Sequence, residues 1–399
     1  MTRDELLGSM RPDGSRPRVQ PADVRGRFMN WRRVVFAVLI GFYVAAPFIP
    51  VRGHPMIHLD VARRRFYFFG QTFNAQDFWL VLLLTLVFVF GLLFTTAWRV
   101  WCGWGCPQTV FLEGLYRPIE RFFDGSREQR LKLDAAPWSF NKVVRRVGKF
   151  VVFLVISAAV AHTATAIFVS PVELWLMVQE GPAAHVEAFL LTLGFTAILQ
   201  FNFAWFREQF CVVLCPYGRL QSVLHDKDSV TVAYREARGE PRGKLVKLGT
   251  PDAPVRGDCI DCKRCVVVCP TGIDIRNGLQ MECLACTQCI DACDEVMDKI
   301  HKPRGLIDFA SQRELTGAPR QTLRPRVVVY GALTALALVT FLVALALRTP
   351  FEANIVRARG AMPFVVDGER VTNAFEVHLF NKQPDAAQFR LTVRAPGEA

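Results

Sequence analysis

The chain has 399 residues, 51% of them apolar, with a mean hydropathy of +0.23 despite 21% charged residues. That balance excludes one ordinary soluble core and implies apolar segments alternating with charged ones. The net charge of +12 would suit nucleic acid, but the basic residues crowd beside apolar stretches and no nucleic-acid module pattern occurs, so the expected partner is the lipid bilayer and not nucleic acid.

A membrane-spanning helix needs about 20 mostly apolar residues. Five stretches qualify: 34–51, 78–97, 148–169, 186–206 and 327–347. The first is the shortest and has proline near its end. Eight Lys/Arg precede it, the 98–149 loop carries ten, 51–77 four and 170–185 none. Basic residues stay on the cytoplasmic side. The expected topology therefore has the N-terminus, 98–149 and 207–326 inside and the tail after Arg348 outside. The polar start is too long for the n-region of a cleaved signal, so the first span is expected to be retained. All twelve cysteines then fall on the cytoplasmic side or its membrane boundary, which makes them ligands or redox groups and not disulfides.

In chain order, His54, Met56 and His58 alternate just beyond the first span and would share one face of an extended chain. His and Met suit copper, although Pro55 and the short run favour coincidence. After the second span comes Cys102-Gly-Trp-Gly-Cys106-Pro107, with Trp98, Trp101 and Trp104 read as residues of the interfacial belt. Glu113, Glu120 and Arg121 follow on what reads as a polar face that needs no special explanation. His162, within the third span, is assigned to packing or hydrogen bonding, because one histidine is not enough for a bis-histidine haem. Cys211-Val-Val-Leu-Cys215-Pro216 follows the fourth span 109 residues after the first pair, and aligning the cysteines also aligns Phe111 with Leu220 and Leu115 with Leu224. This is a duplicated unit of two spans, a C-x3-C-P turn and an amphipathic segment, so the pairs are expected to face each other across a pseudo-two-fold axis. Cys102, Cys106, Cys211 and Cys215 would suit copper, a further cluster or zinc, or act as redox-active dithiols.

The strongest signal is Cys259-x2-Cys262-x2-Cys265-x3-Cys269-Pro270 followed by Cys283-x2-Cys286-x2-Cys289-x3-Cys293. Each short run wraps three corners of a cubane, and the fourth cysteine of each run serves the other cluster. Two [4Fe–4S] clusters are expected, one on Cys259, Cys262, Cys265 and Cys293, the other on Cys283, Cys286, Cys289 and Cys269. Zinc sites also use C-x2-C units but do not require evenly spaced triplets followed by C-P. The link between the runs is compressed, and Asp294 stands where a second proline is usual. Eight Asp/Glu against four Lys/Arg over 257–300 read as a solvated face before a docking surface. Beyond Arg348, strand-like alternation over 371–380 and 388–393, with turns at Asp367-Gly368 and Pro384-Asp385, reads as about half of a β-sandwich.

The sequences CGWGCPQTVFLEGLYRPIER at 102–121 and REQFCVVLCPYGRLQSVL at 207–224, together with the double cysteine run, closely resemble the cytochrome c oxidase accessory family, the CcoG/FixG/RdxA group. Membrane ferredoxins of nitrate respiration share only the core of the first motif. The resemblance implies a multi-domain membrane protein: a five-helix transmembrane bundle, a cytoplasmic α+β dicluster ferredoxin-like segment and a partial, immunoglobulin-like C-terminal β-sandwich. Its parts would be a basic N-terminus 1–33, four spans with the duplicated unit 34–206, a CxxxCP segment and linker 207–256, the ferredoxin-like domain 257–300, a linker 301–326, the fifth span 327–347 and a periplasmic partial domain 348–399. Family members usually extend further at this end, so the tail is expected to be shortened. The resemblance further implies a bacterial inner-membrane protein that helps assemble a cbb-type cytochrome c oxidase by reducing Cu(II) to Cu(I), with oxidase assembly factors or a copper transporter as partners. An electron conduit between a quinol and a redox partner, or a non-enzymatic scaffold with structural or sensing clusters, are the alternatives. No catalytic residue or electron donor is assigned.

Overall fold

The computed structural model describes residues 19–74, 77–96, 98–245, 256–321, 323–360, 362, 364–368, 370–382 and 387–392. Among them are five helices long and apolar enough to cross a membrane: Arg27–Ala45, Phe78–Thr95, Phe140–Val169, Val186–Phe206 and Pro325–Ala346. Their outward faces carry exposed Val, Leu and Phe, as expected where lipid replaces a protein core. The chain is a multi-pass membrane protein.

Two of these helices differ from the sequence expectation. The first starts at Arg27 and ends at Ala45, where 34–51 was expected. Its basic first turns stay helical because Met29 and Arg32 are buried against protein, and Pro47 and Pro50 follow its end, where a proline has no N–H to give. The third extends back to Phe140, with the Ser139 hydroxyl accepting the Lys142 N–H at its start.

The chain folds as two compact units. One comprises the chain up to Ala45, Phe88–Thr165 and Glu180–Thr334. Its ferredoxin-like part is wider than the 257–300 segment. Strand Thr231–Tyr234 pairs antiparallel with Ile307–Ala310, in register from Thr231↔Ala310 to Tyr234↔Ile307. Val232, Tyr234, Leu306 and Ile307 pack with Ile275, Ile290, Met297 and the cysteines in a single core. The compressed link contains one short 3-10 turn, Ile275–Asn277, started by Asp274.

The first spanning helix is fixed to this part by unusual means. Its N-terminal N–H groups at Phe28 and Met29 donate to the Asp291 carboxylate at 3.2 and 2.7 Å. An acid at that end also faces the positive pole of the helix. Gly26 lies so close to Asp291 that a side chain there would overlap it. Ala22 and Val24 pack on Val268 and Ala292, so the stretch before the helix is part of the ferredoxin core.

The other unit comprises Ala46–Val87, Ala166–Gln179 and Ala335–Ala399. Strands Ile57–Asp60, Arg65–Phe68 and Gln71–Asn74 form an antiparallel meander. Asp77, fully buried, takes Arg348 at 2.6 Å and Lys382 at 3.1 Å. In the tail, Phe351–Arg357 pairs with Phe375–Asn381, and Val365–Asp367 with Arg370–Thr372 across the Gly368 turn. Residues 388–392 carry no strand, contrary to expectation, while Pro384, Asp385 and Val393 lie outside the described residues.

Candidate functional site

The two cysteine runs fold into matching loops. Asp261 and Lys263, on either side of Cys262, have φ of 51° and 54°; Ala285 and Thr287, on either side of Cys286, have 50° and 64°. Side chains rarely adopt this left-handed region, and each such residue costs about 1–3 kcal/mol unless its surroundings impose it. Four at equivalent positions mark two loops wound around something.

Each loop borders a small cavity of about 20 Å³. Cys259, Cys262, Cys265 and Cys293 line one; Cys269, Cys283, Cys286 and Cys289 line the other, and Cys265 reaches both. Among the described residues, no group of three or more His, Cys, Asp or Glu is placed to hold a single metal ion. A cubane instead spreads its thiolates over four irons, so the donor sets fit clusters better than mononuclear zinc. Burial pushes the Cys265 and Cys293 thiols up to about 12 and Cys286 to about 11, so metal must displace their protons. Asp294, at the position usual for proline, accepts the Gly305 N–H at 3.0 Å and ties the cluster helix to the 307–310 strand. The other acids of the segment are largely spent internally: Asp258 on Arg238 and Lys302, Asp261 and Asp274 on Arg276, Asp298 on Arg304.

The duplicated turns are also alike. Cys106 and Cys215 both adopt extended backbone directly before a helix whose first residue is proline. Their N–H groups close equivalent turns on Trp101 and Phe210 carbonyls, at 3.0 and 2.8 Å. Cys102, Cys106, Cys211 and Cys215 line one cavity of about 440 Å³, and Cys283 of the ferredoxin-like part lines it too. Burial and the neighbouring thiols push Cys102 up to about 12. Gly103 brings the first turn against the cysteine loop: a Cβ there would lie 2.7 Å from the Leu284 carbonyl and 2.8 Å from Cys286 Cα. Arg32, fully buried, donates from Nε to the Gly103 carbonyl at 3.1 Å.

A charged network, unseen in the sequence, holds the two halves of the repeat together. Glu113 and Glu120, expected on a solvated polar face, are 6% and 3% exposed. Arg117 meets Glu113 and Glu208, and Arg207 donates to Glu120 at 2.5 Å. Gln108 and Asn202 exchange side-chain hydrogen bonds, and Gln108 also donates to the Arg207 carbonyl at 2.9 Å. The exposed-face reading failed because helical periodicity shows which face is polar, not what covers it. The Arg207-Glu208 pair before the second cysteine pair, opposite in charge to Glu120 and Arg117 after the first, was the available signal.

The remaining candidates are placed as follows. His54 and His58 both stack on Tyr67, at centroid distances of 4.1 and 5.7 Å, and His58 Nδ1 lies 3.1 Å from the Ile167 carbonyl, so their shared face is a packing face. His162 Nδ1 lies 2.7 Å from the Ala158 carbonyl. Trp101 lines the thiol cavity, and Trp104 packs edge-on against Phe28.

Family models for a 4Fe-4S dicluster domain match residues 206–312, and for a 4Fe-4S binding domain residues 78–126, which hold the first cysteine pair. A third, for the immunoglobulin-like fold at the C-terminus of FixG, matches 341–399. Protein RdxB of Cereibacter sphaeroides is 38% identical over 95% of this chain and 82% of its own length. The nitrogen fixation protein FixG of Rhizobium meliloti is 35% identical over 95% and 79%, and protein RdxA of Cereibacter sphaeroides 37% over 94% and 81%. No solved structure matches. At this identity and coverage, with its membrane helices and 4Fe-4S domains, the chain belongs to the FixG/RdxA family of iron–sulfur electron-transport proteins.

Proposed function

We propose that this protein reduces Cu(II) to Cu(I) at the cavity of Cys102, Cys106, Cys211 and Cys215, in the service of assembling a cbb-type cytochrome c oxidase. Two [4Fe–4S] clusters serve it, one on Cys259, Cys262, Cys265 and Cys293, the other on Cys269, Cys283, Cys286 and Cys289. The supporting observation is that Cys283 lines the same cavity as the four CxxxCP thiols. When bound, the clusters supply one-electron steps. The chain's own residues bring the two sites together: Gly103 permits backbone-to-backbone approach, and Arg32 holds its carbonyl. Thiolates favour Cu(I) over Cu(II), which assists reduction where they line the site. The copper would then pass to a transporter or an assembly factor. The oxidase assignment follows the accessory group whose motifs this chain shares. The N-terminus and ferredoxin-like part lie in the cytoplasm, and the C-terminus in the periplasm.

Cys106→Ala combined with Cys215→Ala tests the reading. The double variant should keep about eight iron and eight sulfide per chain and lose copper reduction by chemically pre-reduced protein, followed anaerobically with a Cu(I) chelator. Reduction at the wild-type rate would remove copper chemistry from this cavity. Loss of iron beyond those eight would give the pairs to a further cluster.

A further inference from the structure

The thiol cavity contains a second kind of binding group. Arg99 lines it and is 2% exposed. One terminal nitrogen, Nη2, donates to the Met281 and Cys283 carbonyls at 3.2 and 3.4 Å. Its Nε and Nη1 have no acceptor among the described residues. Gln221, also 2% exposed, accepts the Cys102 thiol at 3.4 Å through its oxygen, while its amide nitrogen has no acceptor. A buried guanidinium without a counter-charge is costly, and so is each unmade buried hydrogen bond. Such donors persist in a wall when something else occupies them.

The size and charge of the cavity indicate what that is. At about 440 Å³, against about 20 Å³ for each ferredoxin cavity, it lies within the range that accepts a small molecule and far exceeds one ion. Arg99 and Arg219 oppose a single acid, Glu282, in its lining. A hydrated copper cation would meet a net positive wall. Val223 and Met281, 81% and 53% exposed, lie at its rim, so it reaches the surface.

We propose that copper enters this cavity as an anionic complex with a small carboxylate-bearing chelator, whose carboxylate is received by Arg99 Nε and Nη1 and the Gln221 amide. Each copper–carboxylate bond that breaks is replaced by a copper–thiolate bond, and the thiol proton leaves to solvent. This rests on the cavity being the copper site, and it names the form in which the substrate arrives.

The test uses the full chain with its clusters and citrate as the probe. Calorimetry without copper should show citrate binding to the wild type, weakened on the order of ten-fold in Arg99→Gln by loss of a charge-assisted hydrogen bond. Arg99→Lys should recover part of it. With copper, wild-type protein whose clusters have been chemically pre-reduced should reduce the anionic Cu(II)–citrate complex faster than the neutral Cu(II)–bis-glycinate complex, and Arg99→Gln should narrow that ratio. Should Arg99→Gln lose iron, Gln221→Glu replaces it, since a negative charge on the same wall should abolish citrate binding. Equal citrate binding in wild type and variants, with an unchanged ratio, overturns the proposal even if copper is reduced. Arg99-dependent citrate binding without reduction of either complex would leave the anion site standing and remove the copper function instead.

Discussion

A single hydrogen atom at Gly103 stands where any other residue would drive a methyl group into backbone. The three nearest atoms, the Leu284 carbonyl at 2.7 Å, Cys286 Cα at 2.8 Å and the Ala285 carbonyl at 2.9 Å, belong to the loop that carries Cys283 and Cys286, and none can swing aside as a side-chain tip would. Gly103→Ala should therefore cost about 1–3 kcal/mol, the usual penalty for overpacking. Its effect should fall on the cluster of Cys269, Cys283, Cys286 and Cys289, read as partial iron loss with the other cluster's reduced EPR signal retained. Full iron content and unchanged stability would show that the two loops do not press on each other. The fourth ligands give a second residue-level prediction. Cys293 borders the Cys259–Cys265 cavity and Cys269 the other. Cys293→Ser should damage the first cluster and Cys269→Ser the second, and the opposite pattern in EPR would show that the ligands do not cross. The cysteines were legible in the sequence because cluster geometry dictates their spacing. Gly103, Arg32 and Arg99 were not, because their roles depend on loops about 70 or 180 residues away in the chain.

The elements that matter most are the two CxxxCP turns with the helices they start, and the buried ion pairs are what set one against the other. The duplication was visible in the 109-residue spacing, but the joint was not, since Glu113 and Glu120 look like ordinary surface acids until the second half of the repeat covers them. Burial alone would raise both carboxyls. Arg117 beside Glu113, and Arg207 beside Glu120, outweigh it and hold both below the usual carboxylate range. A carboxylate lowered in the native state contributes stability that is fully present above its unfolded value, near about 4.3, and is lost as pH falls through the lower native value. Acid should therefore loosen this joint only below the ordinary glutamate range. Glu120→Gln leaves Arg207 buried with one charged partner fewer and should cost about 3–5 kcal/mol near neutral pH. That cost should shrink in acid, as the wild-type carboxylate itself takes up a proton. Denaturation in detergent across that range measures it, and a cost independent of pH would show that the charge of Glu120 is not what holds the turns. The fifth span and the double cysteine run were legible, whereas the 231–234 and 307–310 strands were not. Four-residue strands carry too little alternation to stand out, and theirs acquire meaning only by pairing across the cluster loops.

At the scale of the whole molecule, orientation in the membrane rests on the basic residues, and burial changes how they count. Of the ten Lys/Arg in 98–149, Arg99, Arg117, Arg130, Lys142 and Lys149 are buried, and most of these are bound to acids or carbonyls of the protein. They serve the fold and would be present whichever way it faced. That leaves Arg121, Arg127, Lys132, Arg145 and Arg146 in this loop against none in 170–185. The 51–77 loop carries four basic residues, Arg52, Arg63, Arg64 and Arg65, all exposed. Counting only residues that are not buried, 98–149 keeps five against four in 51–77 and none in 170–185, the same sign as the full count, and five spans would put the basic N-terminus and the 207–326 segment on the same side as 98–149. Basic residues in short loops and near span ends oppose translocation, so this side should be cytoplasmic. A reporter active only in the periplasm, fused after Arg348, should be active, and one fused after Asp228 should be silent. Arg145→Glu with Arg146→Glu in the Arg348 fusion should lower its activity if exposed charge sets orientation, whereas charge changes at exposed Arg359, beyond the last span, should leave it unaltered. Activity after Asp228 with silence after Arg348 would place the cysteines on the oxidising side, where disulfides become available to them, and the cluster assignment would then have to survive direct iron and sulfide analysis on its own.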